Sequence, residues 1–268
     1  MTESSLATAL VTGASSGIGA VYADRLAHRG HDLILVARDV VRMESLAERL
    51  RGETGRNVVV IAADLTDGDD LDRVARRIAS DEAITVLVNN AGMSLNGGLL
   101  DNDAAAIERL IALNVTAPAL LASAAGKAFR ARRRGAIINI ASVLALAPEQ
   151  FDGTYSGTKA FLLNLSLSLA LQLEPEGVRV QAVLPGATRT EIWQRSGKDV
   201  DSFPPEVVMD VHDLVDAALA GFDRGETVTI PPLADEGLYR AYDEARLALG
   251  PNLSRREVAA RYRQFADA

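Results

Sequence analysis

The chain has 268 residues, 48% of them hydrophobic and 24% charged, and a formal net charge of −8. That is enough chain for one full core, the composition is that of a soluble globular protein, and the acidic balance argues against a nucleic-acid surface. The absence of cysteine excludes disulfides and thiolate metal sites; M-T-E-S-S-L-A-T lacks the basic flank of a signal peptide, and no apolar run approaches the ~18 residues of a membrane span, so a cytoplasmic location is expected.

Ala7 to Thr12 is a strand-like run that leads into T-G-A-S-S-G-I-G, and a helix is predicted from Ile18 to Arg29. Gly13, Gly17 and Gly19 therefore sit between a strand and a helix. In that context glycines permit a tight turn and close backbone approach, and the helix start offers free N–H groups to a pyrophosphate. The plain alternative is a tight turn with no ligand. Asp32 to Ala37 is an unalternating apolar run, typical of a strand covered on both faces, and it ends in Arg38. At this point of a dinucleotide-binding unit an acidic residue bonds the ribose 2′-hydroxyl, whereas arginine accommodates a 2′-phosphate, so Arg38 favours NADP over NAD.

Helix 40–51, strand 57–62, helix 67–80 and strand 85–89 continue the alternation, which implies a parallel sheet with helices on both faces. Asp64 is assigned to the ligand and Asp67 to capping the next helix. N-N-A-G, Asn89 to Gly92, closes the fourth strand with small residues that leave room for a ligand. A long helix from Asp103 to Ala128 carries Asn114 on an apolar face, where it either satisfies backbone groups around Pro118 or holds a water. The basic run Arg130 to Arg134 reads as a solvated helix end.

Strand 136–141 delivers Ser142, and a loop then leads to Y-S-G-T-K at the start of an apolar helix, Tyr155 to Leu173. The i,i+4 spacing puts Tyr155 and Lys159 on one face. A cation about 4 Å from the phenol, at an effective dielectric near 20, supplies on the order of 4 kcal/mol, enough to bring the phenol from about 10 to about 7. This helix is apolar nearly all round, so a second subunit is expected on its outer side. Strand 178–184 ends in P-G-A-T-R-T; Glu191 to Met209, with Trp193 and Phe203, reads either as a lid or as a plain loop around one buried tryptophan. Helix 210–222 and strand 227–230 complete the alternation. After Pro231-Pro232 the tail, Leu233 to Ala268, reads as two helices broken at Gly250-Pro251, with Ser254 and Glu257 as a capping box. His28, His31 and His212 show no paired spacing, and no metal site is expected.

T-G-A-S-S-G-I-G, N-N-A-G, Asn114, Ser142, Y-x-x-x-K and P-G-A-T-R-T occur in one order, and together they resemble the short-chain dehydrogenase/reductase family from about Leu6 to Ile230. The resemblance implies a Rossmann-like α/β fold, doubly wound around a parallel sheet of about seven strands. Residues 1–230 would be the dinucleotide-binding catalytic part and 231–268 a helical extension of the same domain. It implies hydride transfer between NADP (NAD being possible) and a small carbonyl or alcohol, by a homodimer or homotetramer. Tyr155 would exchange the proton, Lys159 would hold the nicotinamide ribose and tune the phenol, Ser142 would polarise the carbonyl, and Asn114 would hold a proton-relay water. Gly13, Ser15, Ser16, Gly17, Ile18, Gly19, Arg38, Asp64, Leu65, Asn90, Ala91, Gly92, Tyr155, Lys159, Pro185, Gly186, Thr188 and Thr190 map onto cofactor-lining positions. The alternative is a non-catalytic NADP(H) sensor on the same fold. A pocket lined by Met93 to Gly98, Val143 to Asp152 and the lid suits a modest hydrophobic substrate, although Arg189 and Arg195 offer charge for a carboxylate.

Overall fold

The computed structural model describes residues 7–197 and 199–265. Seven short strands rich in Val, Ile and Leu lie parallel: β1 (Thr8–Thr12), β2 (Asp32–Ala37), β3 (Val58–Ala62), β4 (Ile84–Asn89), β5 (Gly135–Ile140), β6 (Val178–Val183) and β7 (Val228–Thr229). Their spatial order is β3-β2-β1-β4-β5-β6-β7. The order of addition reverses between β1 and β4, which opens a crevice beyond their carboxyl ends, where open α/β sheets bind ligands. This is the parallel sheet expected from the alternation, in the Rossmann-like architecture that the resemblance implied.

The strands are apolar on both faces because both faces are covered. On one side α1 (Gly17–His28), α2 (Val40–Thr54) and α8 (Val211–Asp223) lay Tyr22, Met43, Leu50 and Leu219 against Val11 and Leu35. On the other, α3 (Gly68–Ser80), α5 (Ala117–Arg132) and α6 (Gly153–Leu173) lay Leu71, Ile78, Phe129 and Leu173 against Leu10, Leu87 and Ile137. Local sequence sets the helix starts. Asp67 caps α3 by accepting from the N–H groups of Asp69 and Asp70, and Leu71, Val74 and Ile78 then recur at helical spacing on the buried face.

The predicted long helix from Asp103 is interrupted. It forms α4 (Ala104–Ile111), a π turn (Ala112–Thr116) and then α5. Pro118 is the local cause: it has no N–H for the carbonyl of Asn114, and its ring crowds that carbonyl, so the backbone widens by one residue. The whole run Ala104–Arg132 is long and apolar enough, by length and composition, to cross a membrane, which the sequence reading missed. In the fold, Leu110, Leu121, Ala125 and Phe129 on this run are buried. The basic cluster at its end is more than a solvated terminus. Arg132 donates to the carbonyls of Asp81 and Ile84 at 3.2 Å each, which ties α5 to the turn before β4.

Residues from Leu233 onward form a second unit. In it α9 (Glu236–Leu249) is capped by Asp235 and buries none of its own residues. The second predicted tail helix is not formed: after Pro251 the described chain makes only 3₁₀ turns, at 250–252 and 260–265. Ser254 starts no α-helix, and Glu257 pairs instead with Arg263 at 2.7 Å. A short segment whose Leu253, Val258 and Tyr262 stay exposed has no packing to offset the cost of helix nucleation.

Candidate active site

The turn from β1 into α1 is built from backbone. Gly13 and Gly17 adopt positive φ angles of 66° and 55°, and a Cβ on Gly19 would lie 2.4 Å from the Gly13 carbonyl. Only glycine is tolerated at such a contact. Asn90 braces this turn from β4, its amide donating to the carbonyls of Thr12 and Gly13 at 2.9 and 3.3 Å. Thr12 completes the brace: its hydroxyl donates to the Val88 carbonyl and accepts from the N–H groups of Asn90 and Ala91. The predicted cofactor residue Asn90 thus has its side chain committed to holding the glycine turn. Thr12, not singled out from the sequence, is the residue that joins the two motifs.

At the carboxyl ends of β4 and β5 a second cluster forms. Asn114, raised on the π turn, accepts from the Met93 N–H at 2.9 Å, and its two amide hydrogens go to the Met93 carbonyl at 2.9 Å and the Thr158 hydroxyl at 3.1 Å. Thr158 in turn donates to the Tyr155 carbonyl at 2.7 Å. Both side-chain N–H groups of Asn114 are therefore committed to protein partners. Asn114 ties the loop after β4 to the helix that carries Tyr155 and Lys159. Thr158 was legible only as the x before Lys159 in Y-x-x-x-K.

Asp152 caps α6 by accepting from Thr154 and Tyr155, which fixes the phenol on the first turn, and Phe151 packs edge-on to its ring. The Tyr155 hydroxyl hydrogen-bonds Ser142, which the end of β5 delivers and whose Oγ also accepts from the Leu144 N–H. Burial nevertheless pushes the phenol up to about 12, with the Ser142 bond opposing. Lys159 lies one turn further in, 6% exposed, its ammonium donating to the Ile140 carbonyl at 2.9 Å and standing 5.7 Å from the centre of the Tyr155 ring. Burial lowers it from 10.5 to about 8. The expected lysine-assisted phenolate is not realised in this state: the ammonium bonds a carbonyl and faces the ring, so desolvation dominates over attraction. A Cβ on Gly92 would come 3.5 Å from that ammonium, so the last residue of N-N-A-G marks the wall of the same corner.

The remaining predicted residues line the crevice unevenly. Val143 donates to the Pro185 carbonyl at 3.0 Å, joining the ends of β5 and β6, and a Cβ on Gly186 would touch Pro232. Thr188 is buried and donates to the Gly186 carbonyl, while Thr190 packs toward Gly17. Ser15 and Ser16 lie in the glycine turn, and Ile18 packs on the core of the α1 face. Leu65 is 5% exposed and belongs to the core beside β3, so its side chain packs against protein. Arg38 is 72% exposed at the end of β2, 3.8 Å from Asp64, whose carboxylate also accepts from the backbone and hydroxyl of Thr66. In the lid segment, Trp193 donates to the Thr188 carbonyl at 2.7 Å and packs on Phe203 at 4.9 Å; α7 (Ile192–Arg195) is a single turn. Arg189 pairs with Asp201 at 2.8 Å, both side chains exposed; the side chain of Arg195 lies outside the described residues.

Residues 7–201 match the family model described as short chain dehydrogenase. The chain belongs to the short-chain dehydrogenase family. It is an oxidoreductase of that family. It is similar to a short-chain dehydrogenase from Sphingobium yanoikuyae solved in complex with NADPH, at 53% identity and a TM-score of 0.94, covering 96% of this chain and 100% of that one. It is also similar to the bulky-bulky ketone specific alcohol dehydrogenase from Comamonas testosteroni, at 49% identity and a TM-score of 0.89, covering 97% and 99%. Human 17-beta-hydroxysteroid dehydrogenase type 3 is 35% identical over 186 residues, which are 68% of this chain and 59% of that relative's length.

Short-chain dehydrogenases use NAD(P), and the site of this one fits it. The glycine turn leads straight into the N-terminus of α1, and an exposed guanidinium stands at the end of β2. Both features suit phosphate. A buried ammonium in this corner costs stability while no ligand is bound. Lowering Lys159 from 10.5 to about 8 corresponds to a penalty of about 3 kcal/mol, present in full below pH 8, where folded and unfolded chains both carry the charge, and relieved as pH rises through 10.5. Lys159→Met should therefore raise the thermal midpoint of the cofactor-free protein at pH 7, with the gain shrinking toward nothing near pH 11. An equal gain at both pH values, read by differential scanning calorimetry, would show that packing rather than charge is responsible.

Proposed function

We propose that this short-chain dehydrogenase reduces a ketone or aldehyde with apolar flanks using NADPH, and oxidises the corresponding alcohol in reverse. The observation that carries the reading is the Tyr155 hydroxyl bonded to Ser142 beside the buried Lys159 ammonium. When bound, the nicotinamide supplies or takes the hydride. Every other task falls to the chain. Tyr155, neutral near pH 7, holds the proton that the substrate oxygen receives. Ser142 donates a second hydrogen bond to that oxygen as its negative charge grows. Lys159 is the cation of the corner and the candidate ligand of the nicotinamide ribose; Asn114 positions α6. The residues that would hold the cofactor are the glycine turn for its diphosphate, Arg38 for a 2′-phosphate, and Gly92, Pro185 and Gly186 beside the nicotinamide.

Two relatives support the cofactor and the substrate class, one solved with NADPH and the other specific for bulky ketones. The apolar residues Val143, Leu146 and Phe151 in the loop after Ser142 favour a substrate with apolar flanks. The sensor alternative gives way to the family assignment, since the family is one of enzymes. Phe161 and Leu171 are exposed on the outer side of α6, and a Cβ on Gly157 would meet nothing within 4 Å. A second copy packed along this face would cover Phe161 and Leu171.

Tyr155→Phe should lower kcat by on the order of 10³-fold while NADPH affinity stays within about two-fold, since it removes a proton and little surface. Retained turnover would remove Tyr155 from the proton's path. Arg38→Asp should cut the preference for NADPH over NADH by about 10–100-fold, the worth of one charge-assisted hydrogen bond to phosphate. An unchanged ratio of the two dissociation constants would mean that Arg38 does not read the phosphate. Light scattering of the native chain at micromolar concentration should give a dimer or tetramer mass, and Gly157→Arg should shift it toward the monomer. A native monomer would defeat the packing argument for α6.

A further inference from the structure

Arg42 stands on the first turn of α2, at the corner where Arg38 leaves β2. Its Nη1 donates to both Oε1 and Oε2 of Glu191, at 2.7 Å each, across 149 positions of sequence. Its Nε lies 3.4 Å from the Asp39 carboxylate. Glu191 belongs to the segment that follows Pro185-Gly186. One residue earlier, Thr190 lies against the glycine turn, its methyl 3.3 Å from where a Cβ on Gly17 would be. Two residues later comes Trp193, bonded to Thr188 and packed on Phe203. The Arg42–Glu191 pair thus ties the start of the lid to the far wall of the cofactor crevice.

The bond is of an exchangeable kind. A single Nη1 serves both carboxylate oxygens, so the two-pronged geometry that makes guanidinium–carboxylate pairs strong is not made. The two side chains are 49% and 39% exposed, where such pairs contribute little and are screened by salt. A phosphate monoester carries more charge than a carboxylate and has three acceptor oxygens. Brought to the first turn of α2 beside Arg42, it would compete with a half-exposed carboxylate for the guanidinium.

We infer that Glu191 is a specificity-determining residue that acts by competition: it occupies Arg42 until a 2′-phosphate displaces it, and the displacement removes that one tie on the start of the lid. The inference rests on the reading that the β2–α2 corner takes the phosphate of NADP. Its consequences are reciprocal. Phosphate binding loosens the lid, and the lid's hold on Arg42 weakens phosphate binding by the same factor. A cofactor without the phosphate leaves the lid tied.

Glu191→Gln keeps the shape and removes the competing charge. By direct titration it should tighten NADPH binding about two- to five-fold, the range for a half-exposed ion pair, and leave NADH binding unchanged. Trp193 is the only tryptophan of the chain and reports on the lid. In the native protein its fluorescence should respond to adenosine 2′,5′-bisphosphate and not to 5′-AMP, and in the cofactor-free Glu191→Gln variant it should already resemble the bisphosphate-bound state. In an Arg42→Gln background the second substitution should change neither constant. Weakening of NADPH and NADH by one common factor would overturn the inference, because the pair would then be a clamp over any bound dinucleotide. Unchanged constants with an unchanged Trp193 signal would also overturn it and make the pair an inert surface contact. Equal affinity of the native protein for NADPH and NADH would instead strike the phosphate reading itself, and this inference with it, before any variant is made.

Discussion

Pro118 has no N–H to give, and the site is arranged around that missing hydrogen. Without it, the helix before β5 would continue as a regular α-helix and Asn114 would turn to a different bearing. With it, the backbone widens, and the Asn114 amide reaches the loop after β4 on one side and Thr158 on the other. Three hydrogen bonds of one buried side chain then tie α6 to the loop after β4. The position of Tyr155 relative to Ser142 follows from that tie. A local defect in one helix is thereby converted into the registration of another.

Much of the fold and part of the site were legible because they rest on requirements of the local backbone. Glycines with positive φ, or with no room for a Cβ, announce a turn whatever the rest of the chain does, and unalternating apolar strands announce a sheet covered twice. Other features depend on residues brought together only by folding. The acceptor of the Lys159 ammonium is a carbonyl at the end of β5, which no side-chain pattern encodes. Arg42 meets Glu191 through the closure of two loops, and Arg132 meets the turn before β4 through the packing of α5 on α3. The π turn lay between these cases: Pro118 pointed to an unpaired carbonyl, but whether the helix would kink, end or widen was decided by the packing on either side. Tail residues 250–265 failed for the opposite reason. Their capping signal is good, and residues 250–263 bury nothing that would make a helix worth forming.

The electrostatics of the site oppose the simplest reading of Y-x-x-x-K. An i,i+4 lysine could bring a phenol toward neutrality only if its ammonium sat near the hydroxyl in a medium that still solvates both charged forms. Here the ammonium is turned toward the Ile140 carbonyl and the ring, and burial acts on both groups in the direction of neutrality: the phenol rises to about 12 and the ammonium falls to about 8. The Ser142 bond opposes the rise without reversing it. Near pH 7 the corner holds a protonated tyrosine beside a cation that burial disfavours.

Such a ground state treats the two directions of the proposed reaction unequally. A phenol at about 12 remains a stronger acid than the alcohol it would help to form, so the proton passes downhill to the growing alkoxide. Reduction therefore starts from the protonation state that the fold already favours. Oxidation requires the phenolate, which burial makes scarce near neutrality and which grows tenfold with each pH step toward 12. The same desolvation that costs the resting protein stability at Lys159 thus biases the acid–base pair toward giving a proton rather than taking one, and that bias is set by how deeply α6 is packed against β5.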